Sequence, residues 1–171
     1  KLTSSFVLTG VTTGELYQPV GTDSHPLTLP IDGQGWEISI DLQNNSQLIA
    51  GKYSGVVGYT QSGISNLRVV TIPGNSSTAG YSIESSGATY AGVLAGRVDG
   101  DMLNCSVELV KTTVINTNTS ATNAMYIGGL VGYCNGNILN SAVYEGSSAA
   151  SASVISFSKA SAGSGIGGLA G

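Results

Sequence analysis

Residues Gly128 to Val143 read GGLVGYCNGNILNSAV, and two earlier stretches carry the same pattern: GVVGYTQSGISNLRV from Gly55 and VLAGRVDGDMLNCSV from Val93. Each opens on small and apolar residues that end at an anchor glycine, Gly58, Gly96 or Gly132. Each then places an asparagine eight residues later, Asn66, Asn104 or Asn140, and a valine three beyond that, Val69, Val107 or Val143. A fourth opening, GLAG, ends at Gly171, so the anchor glycines at 58, 96, 132 and 171 lie 38, 36 and 39 residues apart. Self-similarity at a period of about 20 to 50 residues is the signature of stacked repeats, each unit unable to bury its own apolar face alone.

The aligned columns say which kind of repeat. Ile64, Met102 and Ile138 form one column, Val69, Val107 and Val143 another, and Tyr53, Tyr90 and Tyr126 a third, just ahead of the glycines. Like residues at equivalent positions suit a parallel solenoid, in which each coil hydrogen-bonds to the next and like side chains stack at strand spacing, about 4.8 Å. Stacked asparagines can bond amide to amide in such a column. Helical repeats of this length fail on the same residues: 25 glycines, with Asn-Gly, Asp-Gly and Ser-Gly turns, would interrupt any helix at about 1 kcal/mol per interior glycine. The expectation is an all-β, right-handed parallel β-helix (β-solenoid) of about four coils.

Composition agrees. Only 9% of the 171 residues are charged while 41% are apolar, and Ser and Thr supply nearly a quarter, which reads as ordered strands and small-residue turns. The net charge is −4 and the six Lys and Arg are scattered from Lys1 to Lys159, which argues against an electrostatic grip on nucleic acid or on anionic membranes. No run approaches the roughly 20 apolar residues of a spanning helix, so membrane insertion is not expected. A start at Lys1 without an apolar leader reads as a processed protein or an excised piece. Residues 1–52 read as an N-terminal coil or capping hairpin region, and 53–171 as repeats 53–89, 90–125, 126–163 and an incomplete 164–171, in one continuous domain.

Ahead of the first full repeat, LTLPIDGQGWEISIDL from Leu27 gives a strand, an Asp32-Gly33 turn and a second alternating strand. Together with the Gly128–Val143 motif, the longer stretch Pro19 to Leu42, PVGTDSHPLTLPIDGQGWEISIDL, resembles the GLUG-repeat proteins of bacterial surfaces. Trp36 stands where that family often has Tyr; Ser54-Gly55 and Ala91-Gly92 replace its double glycine. The resemblance implies a parallel β-helix within a large secreted or wall-bound protein and brings no catalytic residues with it.

Candidate chemistry is sparse. Asp99 and Asp101 flank Gly100, and Glu37 and Asp41 follow Trp36 with Asp32 nearby; a glycosidase or lyase would need such acids to converge in a cleft. Both sets read as solvated turn and surface acids, and the Asp99/Asp101 pair lacks the further oxygen ligands calcium wants. His25, the sole histidine, reads as an exposed loop residue without a nucleophile motif to partner it. Cys105 and Cys134 are too few for a zinc site and read either as two small buried apolar residues or as one disulfide between neighbouring coils. Thr112, Thr113, Thr117 and Thr119 form one threonine patch rather than an array. The glycines of GSGIGGLAG belong to the repeat and not to a dinucleotide loop. Asn44, Asn75, Asn104 and Asn118 head Asn-x-Ser/Thr sequons that could carry glycan.

The expected function is therefore a non-catalytic extracellular or cell-surface module, a stalk, adhesin or filament element, with no cofactor and no metal. Its expected partners are a second copy end to end, or a host or cell-surface protein or glycan. The alternative is a carbohydrate-active β-helix enzyme or its sugar-binding accessory, which Trp36 and the eight tyrosines would serve as a stacking surface.

Overall fold

The computed structural model describes residues 2–9, 18–42, 46–47, 49–50, 52–73, 81–84, 89–110, 112–116, 124–146, 154–157 and 163–171. Among these the chain is all-β and forms a parallel β-solenoid. Each coil visits five walls in turn. The first wall stacks Tyr53–Ser54, Tyr90–Gly92, Tyr126–Gly128 and Gly165–Gly167; the second stacks Val57–Thr60, Ala95–Val98 and Val131–Cys134. The third holds Ile31–Asp32, Ile64–Ser65, Met102–Leu103 and Ile138–Leu139. The fourth holds Phe6–Thr9, Glu37–Leu42, Arg68–Pro73, Ser106–Leu109 and Ala142–Glu145. The fifth holds Ser46–Gln47, Tyr81–Glu84, Thr112–Asn116 and Val154–Phe157. Among the described residues the single antiparallel pairing joins Ile49–Ala50 to Tyr53–Ser54 where one coil passes into the next.

Register follows the repeat. Val69 pairs with Val107 and Val107 with Val143; Ile64 pairs with Met102 and Met102 with Ile138; Tyr90 pairs with both Tyr53 and Tyr126. Alternation sends Ile38, Val69 and Val107 into the bore and Glu37, Arg68 and Glu108 outward, so a one-residue slip would exchange core for solvent. The bore is lined mainly by apolar side chains, with Val69, Leu94, Met102, Val107, Ile127 and Leu130 all at 1% exposure or less. Each such side chain contributes about 1.5–3 kcal/mol of burial, a gain that requires coils on both sides.

The stretch around Asp32-Gly33 is a coil rather than a hairpin. Ile31–Asp32 and Glu37–Leu42 do not pair with each other; they pair in parallel with Ile64–Ser65 and Arg68–Pro73 of the next coil. The turn between them carries Gln34 and Gly35 at positive φ, and it sends the chain round a corner instead of back on itself. Bridges from Val20 to Val57 and from Leu27 to Thr60 extend this coil over the second wall.

Candidate functional site: a tyrosine and arginine seam

Where the first wall turns into the second, the corner carries a cluster of five tyrosine rings and one arginine. Its floor is the anchor glycine column. A Cβ on Gly132 would lie 2.5 Å from the Ala91 amide nitrogen, and one on Gly96 3.1 Å from the Ser54 nitrogen and 3.1 Å from Tyr53 Cβ. Only hydrogen fits there, and the space goes to aromatic rings instead. Tyr53, Tyr90 and Tyr126 stack with centroids 5.6 Å apart and planes 14° and 7° from parallel. Tyr59 stacks on Tyr53 at 5.4 Å, and Tyr133 turns its edge to Tyr90 and Tyr126 at 5.8 and 5.5 Å.

The residue after each anchor glycine forms a second column, Tyr59, Arg97 and Tyr133, held in register by the second wall. Arg97 thus lies among rings, its guanidinium carbon 4.9 Å from the centre of Tyr59, 5.6 Å from Tyr133 and 5.8 Å from Tyr90. A cation facing several ring quadrupoles is held electrostatically as well as by area. Its fork meets Asp99 with two bonds, Nε to Oδ1 at 2.8 Å and Nη2 to Oδ2 at 3.0 Å, and the Tyr59 hydroxyl donates to Asp99 Oδ2 at 2.7 Å. Burial alone would raise the Asp99 pKa, but the bonds from Arg97 and Tyr59 more than offset it, and the carboxyl is held below its ordinary value. Conversely, the bond to Asp99 and burial push the Tyr59 phenol up. At the coil below, Tyr53 donates to Asp23, which also pairs with Lys52 at 2.5 Å; burial and Asp23 push the Tyr53 phenol upward.

Of the acids singled out in the sequence, Asp99, Asp101, Asp32 and Glu37 are occupied rather than convergent. Asp101 Oδ1 accepts from the amide nitrogen of Asn137 at 2.8 Å and from its side chain at 3.1 Å. Asp32 Oδ1 accepts from Gln34 N at 2.9 Å and Asn66 Nδ2 at 3.1 Å. Glu37 pairs with Arg68 at 2.8 Å, and Arg68 also binds Glu108 and reaches the Tyr144 hydroxyl at 3.1 Å. Asp41 lies on the fourth wall beside Ile72 and Thr9. His25 is exposed, its Nδ1 3.1 Å from Ser24 Oγ. Among the described residues no three His, Cys, Asp or Glu side chains gather as a metal site would require.

The asparagine column is a ladder of amides. Asn66, Asn104 and Asn140 have φ of 53°, 53° and 49°, the left-handed region in which asparagine is tolerated, and Asn104 Nδ2 donates to Asn66 Oδ1 at 3.1 Å. Asn66 passes the chain on to Asp32, so the first coil joins with a carboxylate. Of the four sequons, Asn104 is exposed with its side-chain nitrogen engaged in this ladder; Asn44, Asn75 and Asn118 lie outside the described residues. Thr112 and Thr113 lie on the fifth wall opposite Tyr81 and Ser82, and Thr117 and Thr119 lie outside the described residues. The cysteines are both free. Cys105 is buried with its thiol 3.4 Å from the Leu103 carbonyl, and burial pushes both thiols above their ordinary pKa. Trp36 is 43% exposed at the corner beside Gly33.

The role of Arg97 escaped the sequence reading, although the repeat alignment already placed it between Tyr59 and Tyr133. No protein-family model, no curated protein and no solved structure matches this chain.

Proposed function

We propose that this chain is a non-catalytic module of an extracellular or cell-surface protein of the GLUG-repeat kind, serving as a rigid spacer, adhesive segment or filament element. The observation that carries the reading is where its polar side chains spend their bonds. The carboxylates of Asp32, Glu37 and Asp101 bind residues of the adjacent coil, and Asp99 binds Arg97 and the Tyr59 of the coil below. Groups so satisfied hold coils in register and are poor acid-base catalysts, whose protons must be free to move. The faces of Tyr53, Tyr90 and Tyr126 are likewise turned on one another rather than outward, which favours a fastening over a sugar-stacking platform.

Incubation with a panel of plant and microbial polysaccharides, alongside Asp99→Asn and Glu37→Gln, tests this directly. The expected result is no turnover by any of the three, with beads coated in the chain still retained on cell or glycan surfaces. Cleavage that disappears in either variant would establish the carbohydrate-active alternative. Electron micrographs of the purified chain then separate the forms of the proposal, since only a filament element gives ordered end-to-end polymers.

A further inference from the structure

Three corners of the solenoid carry Asp or Asn followed by glycine: Asp32-Gly33, Asp99-Gly100 and Asn135-Gly136. The last two occupy equivalent positions in successive coils, since Val98 pairs with Cys134 immediately before them. Their side chains differ sharply in what holds them. Asp32 is bonded to Gln34 and Asn66, and Asp99 to Arg97 and Tyr59. Asn135 is exposed, and among the described residues its carboxamide meets no hydrogen-bond partner. The position that supplies Arg97 one coil earlier supplies Tyr133 here, and the Arg97 fork is spent on Asp99. Asn135 N donates to Val98 O at 2.9 Å, which pins the residue at the end of the wall, while the Gly136 N–H finds no backbone acceptor among the described residues.

We propose that Asn135 is a deamidation site displayed by the fold. The Gly136 nitrogen attacks Asn135 Cγ, a carbon–nitrogen bond forms, its proton leaves with the departing amide nitrogen as ammonia, and a cyclic imide remains. Water then opens the ring at either carbonyl, giving aspartate or isoaspartate and one added negative charge. Glycine is the residue that permits this approach, having no Cβ in the path of the nitrogen. No oxidant or enzyme is required; water is the only co-reactant.

The surroundings give the product a consequence. The new charge arrives in a corner stack that already holds Asp99 and Asp101. Isoaspartate also inserts a methylene into the main chain where there is little room: even a Cβ on Gly136 would sit 2.4 Å from Gly100 O and 2.8 Å from Asp101 N. The adjoining bonds, Asn137 N to Asp101 Oδ1 and Met102 N to Asn137 O, both 2.8 Å, are the ones displaced. Ageing at Asn135 thus loosens the third wall at this coil.

The test is peptide mapping of the whole chain after incubation in mildly alkaline buffer, beside Asn135→Gln and a synthetic peptide spanning residues 131–139. The expected result is conversion at Asn135 ahead of Asn104, Asn137 and Asn140, read as replacement of amide by acid in two isomers of different retention. Asn135→Gln should show no such products and should keep its melting temperature while the aged parent loses some. An intact Asn135 in the folded chain while the free peptide converts would overturn the proposal, because the fold would then protect the site. Earlier conversion of another described asparagine would overturn it equally.

Discussion

Replacing Asn66 separates the two properties the asparagine column combines. Asn66 accepts from Asn104 and donates to Asp32, each at 3.1 Å, and its backbone sits at φ 53°. Glycine keeps the backbone and removes the amide; alanine removes the amide and must still adopt the left-handed conformation. Two partly exposed side-chain bonds are together worth about 1–2 kcal/mol, since each contributes about 0.5–1.5 kcal/mol net. The left-handed backbone adds about 1–2 kcal/mol for alanine, which lacks the short polar side chain that lets asparagine adopt it. Glycine avoids that strain but gives the unfolded chain more freedom, a cost of about 0.4–1 kcal/mol. Asn66→Gly should therefore lose about 2 kcal/mol and Asn66→Ala about 3 kcal/mol. For a chain of this size the alanine variant should melt roughly 6–12 °C below the parent. Urea titration followed by circular dichroism gives both values, and Asn104→Ala and Asn104→Gly should repeat the order with a smaller total. Equal losses for alanine and glycine would refute the backbone half of the reasoning. A glycine variant as stable as the parent would refute the ladder half.

Two further outcomes follow from the seam. Gly132→Ala should cost about 1–3 kcal/mol by overpacking against the Ala91 and Gly96 backbones, while Gly168→Ala, whose Cβ meets nothing within 4 Å, should be nearly neutral in the same melting assay. Asp99, with its folded pKa depressed, contributes stability that is present above its unfolded value of 3.8 and is lost as pH falls through the lower folded value. Asp99→Asn should therefore flatten the acid side of the stability profile, and parallel profiles for parent and variant would contradict the Arg97 and Tyr59 assignment.

What the sequence disclosed and what it withheld divide along physical lines. Glycine, valine, isoleucine and tyrosine columns were legible because in-register stacking selects the same residue type coil after coil, and the fixed offset between Gly58 and Asn66 recurs twice more. The first coil was ambiguous because alternation reports which side chains face inward and says nothing of whether neighbouring strands run parallel. The Gln34-Gly35 turn is as compatible with a hairpin as with a corner, and the partners of Ile31 and Glu37 lie more than thirty residues away. Arg97 was overlooked because its column mixes types: a guanidinium between two phenol rings is complementary rather than alike, and a search for likeness passes over it. The state of Cys105 and Cys134 was equally closed to spacing arguments, since both face the bore side of their coils whether bonded or free.

The lone cation in an aromatic column has a bearing on how such a chain avoids mistakes. Coils built on one template can be confused with one another, and a strand that docks one unit too early or too late still finds valine against valine and asparagine against asparagine. Arg97 and Asp99 occur in one coil alone, so a frame shifted by a whole unit strands the guanidinium away from Tyr59 or Tyr133 and separates Tyr59 from its acceptor. An index mark of this kind lets monotony of sequence coexist with a single order of assembly.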